Sequence, residues 1–100
     1  MRVSLPHSLG KEEVRRRMHE HGHEIADYFP AGMASVDTNW PNEDRMDLLV
    51  NAMGQRIEGG IDITEDNVVI EMDLPAMLGF LRGTLEGAVR KHGGRLLEKS

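Results

Sequence analysis

The chain of 100 residues contains no cysteine, which excludes disulfide bonds, thiolate metal sites and cysteine nucleophiles. Aromatic residues are also scarce, at four, whereas methionine occurs seven times. A core built from such residues is expected to be aliphatic and adaptable. Hydrophobic residues nevertheless make up 39% and charged residues 29% of the chain, as in globular rather than disordered proteins. We therefore expect a single domain over residues 1–100.

Excess positive charge and long apolar runs are lacking as well. The formal net charge is −5, which argues against a nucleic-acid partner, because phosphate recognition requires a dense basic surface. The basic run Arg15–Arg17 is flanked by Glu12, Glu13 and Glu20 and is expected to form a solvated helix face. No stretch approaches the ~20 apolar residues that span a bilayer, and the N-terminal residues lack the apolar run of a secretory signal. These features predict a cytoplasmic protein without a membrane span.

Alternating apolar residues predict five β-strands. The run RVSL turns Val3 and Leu5 to one side, and four further runs between residues 34 and 74 are separated by short turns, which indicates a meander. One face of each run is apolar and the other mostly polar, as in an antiparallel sheet with one packed face. Gly59 stands at an inward position, and Gly54 is expected in a tight connection. The outward carboxylates are Asp37, Asp62, Glu71 and Asp73; the inward positions are Ala34, Val36, Thr38, Trp40, Met46, Leu48, Val50, Ala52, Ile57, Ile61, Ile63, Val68, Ile70, Met72 and Leu74.

Two segments have helical periodicity. The first carries Val14, Met18, Ile25 and Phe29 on one face, with Ser8 as the expected N-cap and Pro30 and Gly32 as the end. The second opens at Pro75, a favoured first-turn residue. Its apolar face comprises Leu78, Leu81, Leu85, Val89, His92 and Leu96. The order β-α-β-β-β-β-α predicts a two-layer α+β fold, a curved antiparallel sheet with both helices packed on one face.

Residues 19–23 read HEHGH and contain the H-E-x-x-H pattern of zinc hydrolases. At ~100° per residue, His19 and His23 point roughly opposite Val14 and the core. A zinc site would also need a third protein ligand. We keep a zinc hydrolase acting through His19, Glu20 and His23 as a remote alternative, and we predict no enzyme activity, no catalytic residue, no metal and no cofactor.

Two other histidines, His21 and His92, fall on the apolar faces of the two predicted helices. At such positions a histidine is usually neutral and hydrogen-bonded at the edge of a core. We expect that structural role for both residues.

Apolar residues at positions predicted to face solvent offer an interaction surface. Phe80 falls about 200° from Leu78 on the last helix, and Leu49, Met53 and Val69 lie on the mostly polar face of the sheet. Such a patch fits a protein partner, a homodimer or a hydrophobic surface. An alternative function is the carriage of a small hydrophobic ligand in a helix-grip-like cavity between helices and sheet.

Four segments resemble the polyhydroxyalkanoic acid system proteins: SLPHSLGKEEVRRRM, FPAGMASVDTNW, NAMGQRIEGGIDITEDNVVIEMDLP and MLGFLRGTLEGAVRK. The resemblance covers nearly the whole chain and is most specific at Pro6–Gly10, Gly54 and Asp73–Pro75. Proteins of this family are small, bacterial and associated with storage-polyester genes, in some cases with the granule surface. The resemblance implies a non-enzymatic accessory or regulatory protein, cytoplasmic or at storage granules, that contacts a protein partner or the polyester granule surface. It implies no catalytic residues, and the His19–His23 cluster lies outside its pattern.

Overall fold

A computed structural model describes residues 1–22, 24, 34–52 and 54–98. The elements are β1 (Arg2–Pro6), α1 (Lys11–His21), β2 (Ala34–Asn42), β3 (Arg45–Ala52), β4 (Gln55–Ile63), β5 (Asn67–Asp73), a 3-10 helix (Ala76–Leu81) and α2 (Arg82–Leu96). All strand pairs are antiparallel, and the open sheet has the order β1-β5-β4-β3-β2. The predicted α+β fold and its order β-α-β-β-β-β-α are confirmed.

Short turns connect the strands of the meander. Ala52 pairs with Gln55 across the β3–β4 connection, where Gly54 has a φ of 75°, a conformation that glycine adopts without a Cβ clash. At the β4–β5 turn, the Thr64 N–H donates to the Asn67 carbonyl at 2.9 Å, and the Asn67 N–H donates to Thr64 Oγ1 at 3.0 Å. The predicted tight connection at Gly54 is confirmed.

His7 joins the end of β1 to the β4–β5 turn. Its backbone N–H donates to the Asp66 carbonyl at 2.9 Å, and its ring Nε2 lies 2.8 Å from the Thr64 carbonyl. The Leu9 N–H donates to the other ring nitrogen, Nδ1, at 3.3 Å. These bonds position the segment that leads into α1.

The first helix begins later than its sequence predicts. Gly10, with a φ of 84°, is the N-cap, and no side chain caps the helix, so the prediction of Ser8 as N-cap is wrong. The bonds of His7 to the β4–β5 turn and to the Leu9 N–H hold this segment outside the helix, and the positive φ of Gly10 then turns the chain into α1. Val14 and Met18 are buried against the sheet as predicted. The predicted core residues Ile25 and Phe29, and the predicted end at Pro30 and Gly32, lie outside the described residues.

The second helical segment is two elements rather than the single helix predicted. The chain leaves Pro75 as the 3-10 helix and continues as α2 from Arg82. The first four predicted core positions are buried, but after Val89 the buried positions are Gly93 and Leu97. A Cβ at Gly93 would lie 2.5 Å from Leu5 Cδ1, so this glycine lets α2 approach β1. His92 is exposed, and its predicted place on the apolar face is wrong.

The core lies between the inner face of the sheet and the two helices. The predicted inward residues of β3, β4 and β5 are buried, while Gly59 and Leu74 are partly buried. The edge strand β2 is less covered. Its inward residues Ala34, Val36 and Trp40 are only partly buried, and Thr38 is exposed. It also extends past Pro41, since Asn42 pairs with Arg45 after a register shift.

Candidate functional site

The largest exposed apolar side chains of the described residues lie on the 3-10 helix. With three residues per turn, positions i and i+3 of such a helix share a face. Leu78 and Leu81 therefore both face the core, at 2% and 5% exposure, while Met77 and Phe80 both face solvent, at 71% and 68%. We call Met77 and Phe80 the apolar pair.

The surroundings of the apolar pair leave it prominent. Gly79 and Gly83 lie beside it, and a Cβ built on either glycine would meet nothing within 4 Å. The recorded polar contact of Met77 is a weak one, from Gln55 Nε2 to the sulfur at 3.6 Å. The two side chains thus project from the surface beside these two glycines, and Met77 lies next to Gln55 at the start of β4.

The predicted interaction residues do not form one surface. Phe80 is exposed on the 3-10 helix, as predicted. Leu49 is partly exposed on the outer face of the sheet, between Asp37 and Glu58 of the neighbouring strands. Val69 is partly exposed two strands away, between a serine of β1 and an aspartate of β4. Met53 lies outside the described residues. Sequence reasoning missed Met77, whose signal is the three-residue spacing of M-L-G-F-L after Pro75.

The outer face of the sheet forms a shallow open groove of ≈ 940 Å³. Carboxylates line it together with four arginines, and the predicted outward direction of Asp37, Asp62, Glu71 and Asp73 is confirmed. Arg2 contacts Glu71 at 3.4 Å. The mixture of both signs of charge makes this face polar and solvated, in contrast to the apolar pair.

Arg45 forms two ion pairs in the groove. Its Nε donates to Asp47 Oδ1 at 3.0 Å and its Nη1 to Asp62 Oδ2 at 2.8 Å, while the guanidinium lies over Gly60. The hydrogen bond to Asp47 is the largest cause that raises the pKa of Arg45, with the charge of Asp62 adding to it. The Arg45 guanidinium therefore links β3 to β4 through these two carboxylates.

A second group of ion pairs holds α1 on the sheet. Asp44 in the β2–β3 turn accepts from Lys11 Nζ at 3.2 Å and from Arg15 Nη2 at 3.1 Å. Hydrogen bonds from Lys11, and then from Arg15, hold the pKa of Asp44 below its ordinary value of 3.8. The shift favours the charged carboxylate, so this group supports the fold and is not poised to exchange protons near neutral pH.

The same electrostatic pattern occurs on the solvent face of α1. Glu13 accepts hydrogen bonds from Arg16 and Arg17, and the bond from Arg16 is the main reason that the pKa of Glu13 lies below 4.5. The bond to Glu13 likewise raises the pKa of Arg16. Arg17 also donates to the carbonyls of Leu96 and Glu98, both at 2.7 Å, and so ties α1 to the end of α2.

The histidines of the HEHGH segment have structural contacts. His19 is exposed, as predicted, and its ring stacks on Trp40 with a centroid distance of 4.0 Å and an interplanar angle of 15°. His21 is partly exposed, and its Nδ1 lies 3.0 Å from Glu24 Oε2. His23 lies outside the described residues. Among residues 1–22, 24, 34–52 and 54–98, no group of three or more potential ligand side chains could hold a metal ion.

The pocket between the described parts of the helices and the sheet is small. The enclosed pocket there has a volume of ≈ 20 Å³ and is lined by Met18, Ile61, Val89 and their neighbours, and a single water needs roughly 10–15 Å³. In the part of the chain that the structure describes, this pocket leaves no space for a lipid-like ligand between Val14, Met18 and α2.

The fold and its surface define a small two-layer α+β domain with an aliphatic core and an exposed apolar pair. A family model described as "Putative polyhydroxyalkanoic acid system protein" matches residues 1–97. The chain belongs to this family, which confirms the resemblance seen in the sequence. No curated protein and no solved structure matched the chain. Within the described residues, no helix combines the length and the apolar character needed to cross a membrane.

Proposed function

We propose that this protein is a non-enzymatic accessory protein of polyhydroxyalkanoate storage, and that it contacts the surface of polyester granules in the cytoplasm through Met77 and Phe80. Family membership supports the biological setting. The observation that carries the mode of contact is the apolar pair, with two large side chains more than two-thirds exposed on one face of one short helix. Among the other described residues, the large apolar side chains at the surface are less exposed than this pair.

The energetics of the apolar pair fit a reversible surface contact. Complete burial of a methionine or phenylalanine side chain contributes about 1.5–3 kcal/mol each. Part of that free energy offsets the lost freedom of the bound protein. Two side chains therefore support weak attachment, of the kind that allows an accessory protein to exchange between granule and solution.

The remaining chemistry of the surface supports a non-enzymatic role. The carboxylates with shifted pKa values, Glu13 and Asp44, are stabilised in their charged forms by arginine and lysine partners. A general acid or base that works near neutral pH needs the opposite kind of environment, one that raises a carboxyl pKa. These groups are instead well suited to hold α1 in place.

Fractionation of polymer-accumulating cells tests the proposal. The wild-type protein is expected in the granule fraction, and the double variant M77Q/F80S is expected mainly in the supernatant. Because both side chains are exposed, the substitutions should leave the thermal unfolding midpoint of the purified protein nearly unchanged.

A matched control uses two apolar side chains on the opposite face of the molecule. The variant L49T/V69T removes partly exposed apolar groups from the sheet with a residue that suits strands, and it should remain with the granules. Wild-type protein found only in the supernatant, together with unchanged granules after deletion of the gene, would contradict the proposal.

A further inference from the structure

The two edges of the sheet differ in how well they are protected. The edge strand β1 has five residues, carries Arg2 and ends at Pro6, and short length, charge and proline all discourage further pairing. The opposite edge strand, β2, has nine residues, with Asp37 as its single charged residue and Pro41 next to its end, so that residues 34–40 form a longer run without proline than β1 offers. Among the described residues, β3 is the only strand that pairs with β2.

Among the described residues, the helix layer covers the β2 edge only in part. Thr38 pairs with Leu48, whose side chain is buried in the core, yet Thr38 itself is exposed. Val36 and Trp40 lie on the same face and are partly buried. Trp40 stacks on His19. Within the described part of the chain, the edge therefore combines backbone groups that face away from β3 with half-covered apolar side chains.

We propose that β2 pairs with β2 of a second copy of this chain, antiparallel, about a two-fold axis through Thr38. This register is self-complementary, as an interface between identical subunits must be. Thr38 lies opposite its own copy, Asp37 lies opposite Asn39, and Val36 lies opposite Trp40. Threonine pairs, polar pairs and aromatic–β-branched pairs are all favourable across antiparallel strands. The product is a continuous ten-stranded sheet, independent of any contact with granules.

A charge swap tests the register. N39D places two aspartates opposite each other twice in the dimer, and this repulsion should raise the dissociation constant about tenfold. D37N/N39D restores an asparagine opposite each aspartate and should return the dissociation constant to near the wild-type value. Both variants carry the same new carboxylate opposite Asp47 of their own chain. The difference between their dissociation constants therefore reports on the contact between copies. Analytical ultracentrifugation measures both constants.

Cross-linking gives a second and independent readout. Because the chain has no cysteine, T38C creates a single thiol that should form a disulfide with its symmetry mate under mild oxidation, since directly opposed strand residues have a suitable Cα separation. S35C is the matched control on the same strand. In the proposed register its symmetry mate is about six residues away, roughly 20 Å, so it should not cross-link.

These experiments also define the results that overturn the inference. Wild-type protein that remains at 11.2 kDa at sub-millimolar concentration excludes the dimer. A dimer with the same dissociation constant in N39D and in D37N/N39D, or one that cross-links equally through T38C and S35C, excludes this register. The apolar pair is untouched in every variant, so a failure here is distinct from a failure to bind granules.

Discussion

Adjacent glycines in β4 show how strongly position decides the role of a single residue. Gly59 faces the core, and a Cβ there would clash with the backbone carbonyl oxygen of Glu71. Gly60 faces the groove, and a Cβ there would meet the guanidinium of Arg45. A backbone atom in a paired strand cannot move away, whereas the end of an arginine side chain can.

The pair of variants G59A and G60A tests this difference. G59A should lower the free energy of unfolding by about 2 kcal/mol, the cost of overpacking a core. G60A should cost less than ~1 kcal/mol, because it disturbs only partly exposed ion pairs of Arg45. Urea denaturation of both proteins measures the two values. Equal losses would show that the close approach of β5 to Gly59 is not a constraint.

Residue-scale prediction from the sequence succeeds where alternation fixes the direction of a side chain. The inward position of Gly59 follows from that alternation, and helical counting places Phe80 toward solvent. The sequence prediction omits Met77, although its three-residue spacing from Phe80 places the two side chains on one face of an α-helix as well as of a 3-10 helix.

At the scale of elements, α1 is held on the sheet by Asp44, which accepts hydrogen bonds from Lys11 and Arg15. The lowered pKa of Asp44 means that the folded state binds fewer protons than the unfolded state near pH 3.8. The resulting stabilisation is present above the unfolded pKa and is lost as the pH falls through the lower folded pKa.

The variant D44N tests this linkage. At neutral pH it should be less stable than the wild type, because the ion pairs with Lys11 and Arg15 are gone. Well below pH 3.8 the wild-type carboxyl is protonated too, so the difference in the free energy of unfolding should shrink. Denaturation curves at the two pH values measure it. A difference that stays constant or grows on acidification would contradict the role of Asp44.

The order of the elements is predictable from the sequence, but the residues at which they begin and end are not. Alternation and short turns suffice to define a meander, and helical spacing suffices to define the two helical segments. The start of α1 at Lys11 depends on the long-range bonds of His7. In α2, the buried position after Val89 is Gly93 rather than His92, because Leu5 of β1 packs against the glycine. Both depend on tertiary contacts, which the sequence of one segment does not contain.

At the scale of the whole molecule, the proposed dimer and the proposed granule contact support each other. An antiparallel pair of edge strands has its two-fold axis perpendicular to the sheet, so both helix layers lie on one face of the ten-stranded sheet. Two copies of the apolar pair are then tethered together, and the second contact with a surface becomes intramolecular, which raises overall affinity. Weak single contacts are thereby compatible with useful attachment.

The most direct measurement of the central claim is co-sedimentation of the purified protein with isolated polyester granules. If the apolar pair is the contact surface, wild type and L49T/V69T sediment with the granules to the same extent. M77Q/F80S stays in solution with its fold intact. Equal sedimentation of M77Q/F80S and wild type, or no sedimentation of the wild type, would contradict it.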